Sequence, residues 1–182
     1  MKHILLSLAL WMSVAPFAIA DQKNPQLAAL FAELHNVSNQ DQGLNITNQI
    51  WQIWHDIEHE DSARLLRSGV ALMQNGQFTA ALEQFERVVE LSPEFAEGWN
   101  KRATILFYMN QYNASVADIE KTLELEPRHF GALSGLGMIY MTHGKYKAAL
   151  VAFQSAHKIN PHLPGVNENI ARVNEILQKE RI

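Results

Sequence analysis

The chain has 182 residues, 47% of them hydrophobic and 19% charged, enough for one domain or a short repeat array with a buried core. A formal charge of −4, from 15 Lys and Arg against 19 Asp and Glu, supplies neither the basic footprint of a nucleic-acid binder nor an acidic disordered tail. The absence of cysteine from the sequence excludes disulfides, thiolate nucleophiles, Cys-ligated zinc and Fe–S clusters, which leaves packing to stabilise the fold.

The first element has the three-part layout of a secretory leader. Met1, Lys2 and His3 make a short positive start, Ile4 to Ala20 is apolar, and Ala18-Ile19-Ala20 is a small-x-small ending before Asp21. The apolar run contains Pro16 and falls short of the ~20 residues that span hydrocarbon, so residues 1–20 are expected to be a cleaved signal peptide rather than an anchor. An exported protein without cysteines suits a bacterial envelope, and the periplasm if the source is Gram-negative.

Residues 21–61 read as a degenerate helical hairpin. Asn24-Pro25 is an N-cap and first-turn start, the polar stretch Asn36 to Gly43 is its loop, and Phe31, Leu34, Trp51 and Trp54 are its large residues. Trp51 and Trp54 lie three apart on one helix face and are expected in the core.

From Ser62 onward a period of 34 residues organises the chain. It relates Pro93, Pro127 and Pro161, then Gly76, Asn110 and Gly144, then Phe78, Tyr112 and Tyr146. Each block predicts an apolar helix, a Gly or Asn taking the left-handed conformation at its C-terminal cap, a second helix opened by an aromatic, and Pro as a stop. The second helices carry apolar columns at Leu82/Val116/Leu150, Phe85/Ile119/Phe153 and Leu91/Leu125/Ile159, which lay one stripe along each helix. Residues 163–180 predict one more amphipathic helix, with Val166, Ile170, Val173, Ile176 and Leu177 on one face, as the solvating cap that an open array needs.

These blocks resemble the tetratricopeptide repeat, whose pattern is W-x2-L-G-x2-Y, then A-x3-F, then P. The third copy matches through Leu136-Gly137, Tyr140, Ala149, Phe153 and Pro161, with Leu133 in place of Trp. The first copy keeps Gly69, Ala81, Phe85 and Pro93, and the second keeps Trp99 and Pro127 with Ala103 and Ser115 in the small-residue places. The segments FAEGWNKRAT (95–104) and LEPRHFGALSGLG (125–137) are similar to those of small exported bacterial proteins of this family. The resemblance implies an all-α solenoid of repeats at 62–95, 96–129 and 130–163, followed by a capping helix at 164–182. Trp99 is then expected in the core between the first two repeats, and Gly69, Ala103 and Gly137 at close helix approaches.

The same resemblance implies a concave, non-enzymatic surface for a peptide or protein segment, built from the first helix of each repeat. Carried over by position, its residues are Leu66, Val70 and Met73 in the first repeat. The second contributes Asn100, Lys101, Thr104, Phe107 and Tyr108, and the third Gly131, Ser134, Gly135, Met138 and Met141. The family's carboxylate clamp is missing, because Leu66, Val70, Gly131 and Gly135 stand where it needs Lys, Asn, Lys and Arg. An apolar, Met-rich groove with Asn100 and Lys101 at its centre favours an apolar segment held by backbone contacts. Gly131 and Gly135 are expected to leave a strip without side chains for that backbone.

Two sharper chemistries compete with this. His55-Asp56-Ile57-Glu58-His59 fits H-x-x-E-H, in which two His one helical turn apart hold zinc and Glu58 is the base of a hydrolase. A structural subunit that docks through its convex face is the other alternative. His35, His129, His143, His157 and His162 are expected as scattered surface residues, and no cofactor, bound metal or nucleic-acid partner is expected.

Overall fold

The computed structural model describes residues 23–180, and the predicted leader and its cleavage point lie outside them. Nine helices follow one another among the described residues: α1 (Gln26–Asn36), α2 (Gln40–His55), α3 (Glu60–Gln74), α4 (Phe78–Leu91), α5 (Ala96–Tyr108), α6 (Tyr112–Leu125), α7 (Phe130–Thr142), α8 (Tyr146–Ile159) and α9 (Val166–Lys179). None of them is long and apolar enough to cross a membrane.

The 34-residue period is realised as three hairpins, α3–α4, α5–α6 and α7–α8. Gly76, Asn110 and Gly144 all have positive φ, 72°, 59° and 67°. That conformation lets the next N–H reach back to a carbonyl five residues earlier, as Gln77 to Leu72, Gln111 to Leu106 and Lys145 to Tyr140. Each first helix thus ends with its last carbonyls satisfied, and the chain reverses into the aromatic that opens the second.

Within each hairpin a small residue faces a large one. A Cβ on Gly69 would stand 2.5 Å from the Phe85 ring, and one on Gly137 would stand 2.6 Å from Phe153. The middle hairpin has a smaller Ile119 in that column, and its close-approach residue is accordingly Ala103, packed in one cluster with it. The three aromatic or aliphatic partners are all buried. Helix α9 covers the open end as predicted, placing Val166 and Val173 against Ala149, Phe153 and Ala156.

Trp99 differs from expectation. It is half-buried and belongs to no core cluster: its indole N–H donates to the Pro93 carbonyl at 2.8 Å, and the Arg102 guanidinium lies 4.8 Å from its ring. Arg102 is in turn held by a bidentate bond to Asp118, both contacts 2.7 Å. The ring braces a turn and stacks under a cation at the surface. Phe95 fills the core beside it, and Leu91, at the end of α4, stays 40% exposed.

The N-terminal hairpin forms, with a shorter loop than expected, because Asn39 caps α2 by accepting the Gln42 N–H at 3.0 Å. Its position is the larger departure. It does not stack on α3–α4 as a preceding repeat would. Leu27, Phe31, Leu34, Ile46, Ile50 and Trp54 form one cluster with Phe130 of α7, flanked by Ile159 and Leu163. Polar bonds fix the same docking: His35 Nε2 to the Lys158 carbonyl (2.8 Å), Asn160 Nδ2 to Thr47 Oγ1 (2.9 Å) and His162 Nε2 to the Val37 carbonyl (3.1 Å). The hairpin therefore lies along the edge where second helices end and first helices begin, clipped to the third repeat.

Candidate functional site

The first helices α5 and α7, with α6 behind them, enclose a cavity of about 320 Å³ open to the concave side. Eight of the residues expected in the groove line it: Asn100, Thr104, Phe107 and Tyr108 on α5, and Gly131, Ser134, Gly135 and Met138 on α7. The lining is mainly apolar and contains no Asp, Glu, Lys, Arg or His side chain. Ala103, Ser115, Ile119, Ala132 and Ile139 complete the wall and floor. Sequence reasoning had placed Ala103 and Ile119 in packing columns only; a small residue beneath a groove is also what leaves a hollow there.

The remaining five expected residues are elsewhere. Leu66 is in the core of the first hairpin, Met73 packs on that core, and Met141 packs on the core of the third. Leu66 and Val70 line a separate shallow depression with His55 and Arg67. Lys101 is drawn away from the cavity: its Nζ lies 3.0 Å from Glu97 Oε1 and 5.6 Å from the centre of the Trp51 ring. The physical reason is charge. An ammonium beside a buried carboxylate stays with it.

That carboxylate organises the junction between hairpin and groove. Glu97, 1% exposed, accepts at Oε2 from Asn100 Nδ2 (2.9 Å) and His129 Nε2 (2.9 Å). Its Oε1 pairs with the Lys101 ammonium and lies 3.1 Å from His55 Nε2, at angles that fall short of hydrogen bonds. Burial pushes the Glu97 carboxyl upward, but the Lys101 ammonium, the bond from His129 and the close His55 ring outweigh it and hold the group well below the usual carboxylate range.

His129 corrects the expectation of a surface histidine. It is fully buried, accepts the Ala132 N–H at Nδ1 (3.1 Å) as the N-cap of α7, and stacks on Trp54 with ring centres 4.3 Å apart. An Nδ1 that accepts and an Nε2 that donates define the neutral ring with its proton on Nε2. The signal was present in the register, since His129 falls in the column of Phe95 and Leu163, which is otherwise apolar. His162 is also buried, lying where a side chain on Gly43 would collide with its ring.

Trp54 is core as expected, while Trp51 is half-buried over α7. A Cβ on Gly131 would stand 2.6 Å from Trp51 Cη2. Gly131 is therefore a close approach for the hairpin, and only Gly135 keeps an open face: a Cβ there meets nothing nearer than Ile119 Cδ1 at 3.6 Å.

The zinc geometry is not formed. Helix α2 ends at His55, Asp56 is extended, and His59 is the N-cap of α3, accepting the Ser62 N–H at 3.2 Å. The two imidazoles do not share a helix face. His55 donates from Nδ1 to the Trp51 carbonyl (2.6 Å) and turns Nε2 to Glu97, while Glu58 is exposed. Among the described residues no group of three or more His, Asp or Glu side chains is arranged to hold a metal ion.

A solenoid of helical hairpins with a concave cavity defines a class of interaction scaffolds. The tetratricopeptide repeat family model matches residues 66–107 and 100–164, and the chain belongs to that family. It is similar to a TPR repeat-containing protein of Rhizobium etli, 31% identical over 191 residues that span 97% of this chain and 94% of the relative. Solved structures share the fold at low identity. The first TPR of Spaghetti (RPAP3) bound to the HSP90 peptide SRMEEVD superposes with TM-score 0.63 at 14% identity, covering 66% of this chain and 96% of that one. The Sgt2 TPR domain from Aspergillus fumigatus gives 0.62 at 18%, covering 66% and 81%. The TPR2B domain in complex with pHsp70, from yeast Sti1, gives 0.60 at 16%, covering 64% and 98%.

Proposed function

We propose that this protein is a non-enzymatic binding module of the bacterial cell envelope, which holds a peptide or protein segment in the cavity between α5 and α7. The observation that carries the reading is the cavity itself, about 320 Å³ on the concave side and lined by eight of the residues that the repeat register assigns to a groove. Similar folds bound to peptides, an HSP90 peptide on RPAP3 among them, support a segment as the ligand. The leader pattern of residues 1–20 supports export, with a mature chain beginning at Asp21. Intact-mass measurement of the envelope protein tests this part, and a retained Met1 overturns it.

Gly135→Leu tests the groove. Its side chain enters the cavity without displacing backbone, because only Ile119 Cδ1 lies within 4 Å of the new Cβ. Partner recovery from envelope extract is expected to be lost while the thermal melt is retained. Unchanged recovery from a folded variant excludes this cavity.

A further inference from the structure

With no cysteine in the sequence, the thioethers of methionine are its oxidisable sulfur atoms. Met73 and Met109 pack on the core of the first hairpin, and Met141 packs on that of the third. Met138 touches the third core too, but it also lines the cavity between α5 and α7. Among the described residues it is the methionine whose sulfur accepts a hydrogen bond: Asn169 Nδ2 of α9 reaches Sδ at 3.7 Å, a distance that suits so large an acceptor atom.

This contact gives the sulfur two different sides. The cavity lies on the α5 side of α7, whereas Asn169 belongs to the helix that packs on the third hairpin beyond α7. A thioether sulfur has two lone pairs, and the amide engages one of them from the α9 side, which leaves the other toward the hollow. A methionine side chain turns about three bonds, so a sulfur without a partner presents either lone pair to solvent. Asn169 is the positioning residue that selects one.

We propose that Met138 is a modification site, at which a peroxide oxidises the thioether on the lone pair that Asn169 leaves free and gives one sulfoxide epimer with its oxygen in the hollow. The S–O bond forms as the O–O bond of hydrogen peroxide breaks. Sulfur gives up two electrons, and the departing hydroxide takes the proton of the transferred hydroxyl and leaves as water. A polar, chiral group then replaces an apolar one on the wall beside Phe107 and Ile119. An epimer-specific sulfoxide reductase, with a dithiol supplying two electrons and two protons, restores the thioether and releases the oxygen as water. On the groove reading above, only the reduced cavity suits an apolar occupant; the site of oxidation and its stereochemistry depend on Met138 and Asn169 whatever fills the groove.

Trypsin cuts after Arg128 and Lys145, so Met138 and Met141 share the peptide 129–145 and can be compared within it. The folded protein is treated with a limiting dose of hydrogen peroxide and digested, and the peptide is then given each of the two reductases, one for each epimer. Met138 sulfoxide is expected to form about threefold faster than Met141 sulfoxide, as the thioether of an open cavity. Its epimer ratio should be about fivefold or more, because attack on the engaged lone pair forfeits a neutral hydrogen bond. Asn169→Leu and Asn169→Asp, which lack the amide donor, should bring that ratio to about twofold or below with the thermal melt retained. In 15N spectra, oxidation should shift the Thr104 and Gly135 amides that border the cavity. Oxidation of Met141 at an equal or greater rate, near-equal epimers in the wild type, or a ratio unchanged in both Asn169 variants overturns the proposal, as do shifts confined to α9. The groove reading fails separately, through unchanged partner recovery in Gly135→Leu.

Discussion

Gly131 and Gly135 are one helical turn apart on α7, yet they answer to different neighbours. Adding a methyl at Gly131 forces Trp51 aside, so Gly131→Ala should destabilise by about 1–3 kcal/mol, whereas Gly135→Ala should stabilise by about 0.5–1 kcal/mol by removing an interior glycine. Urea melts of the two variants check the opposite signs. Glu97 is the other residue whose role depends on distant partners. Glu97→Ala leaves Lys101 without its counter-ion and the Asn100 amide and His129 ring without their acceptor, and should cost about 3–5 kcal/mol. Its pH signature has a definite sign. A carboxyl held lower in the folded than in the unfolded chain contributes stability that is full above the unfolded value of about 4.3 and is lost as pH falls through the folded one. Wild type minus Glu97→Gln, measured by urea melts from neutral pH downward, should therefore be constant above about pH 5 and shrink below about pH 4. A difference that grows on acidification contradicts the assignment.

At the scale of elements, the N-terminal hairpin is tied to the third repeat by an aromatic cluster and by a few long-range polar bonds. Trp54 is its anchor, 2% exposed and in contact with Phe31, Trp51, His129 and Phe130. Trp54→Ala should cost about 3–5 kcal/mol. In hydrogen exchange its effect should fall on α1, α2 and the start of α7, with α3 and α4 keeping their protection, because those two helices have their own core around Phe85 and Phe95. Trp99→Ala provides the contrast. With a half-buried ring outside every cluster, its truncation should cost about 1 kcal/mol, well under a core tryptophan. The hairpin was legible as two helices from Asn24-Pro25 and the spaced tryptophans, since capping and amphipathicity are local. Its docking was not, because the partner of Trp51 is a missing side chain at Gly131, and a glycine records no preference for the residue that fills its space.

Across the whole molecule, the last repeat and one wall of the cavity both rest on α9. It covers Phe153 and Ala156 of the last repeat, and Asn169 Nδ2 reaches Met138 Sδ at 3.7 Å, so the cap helix also braces one wall of the cavity. A chain ending at residue 163 should expose that apolar face and self-associate, which sedimentation of the truncated protein checks. The chain that retains α9 should sediment as a smaller species at the same concentration.

Periodic features were determined by the sequence alone. The 34-residue register, the left-handed caps at Gly76, Asn110 and Gly144, and the pairing of Gly69, Ala103 and Gly137 with Phe85, Ile119 and Phe153 each follow from contacts within one hairpin, repeated three times. Eight of the residues that the family resemblance assigns to a groove line the cavity between α5 and α7, because a helical register fixes which face a residue takes. Only the tertiary structure decided the rest. Leu66 turns into a hairpin core, Met141 packs on another, Lys101 turns to Glu97, and His129 is buried against Trp54 from an element far earlier in the chain. The burial of His129 depends on a hairpin that folds back onto the third repeat, and burial of its aromatic face against Phe130 chooses among docking positions that local sequence leaves equivalent.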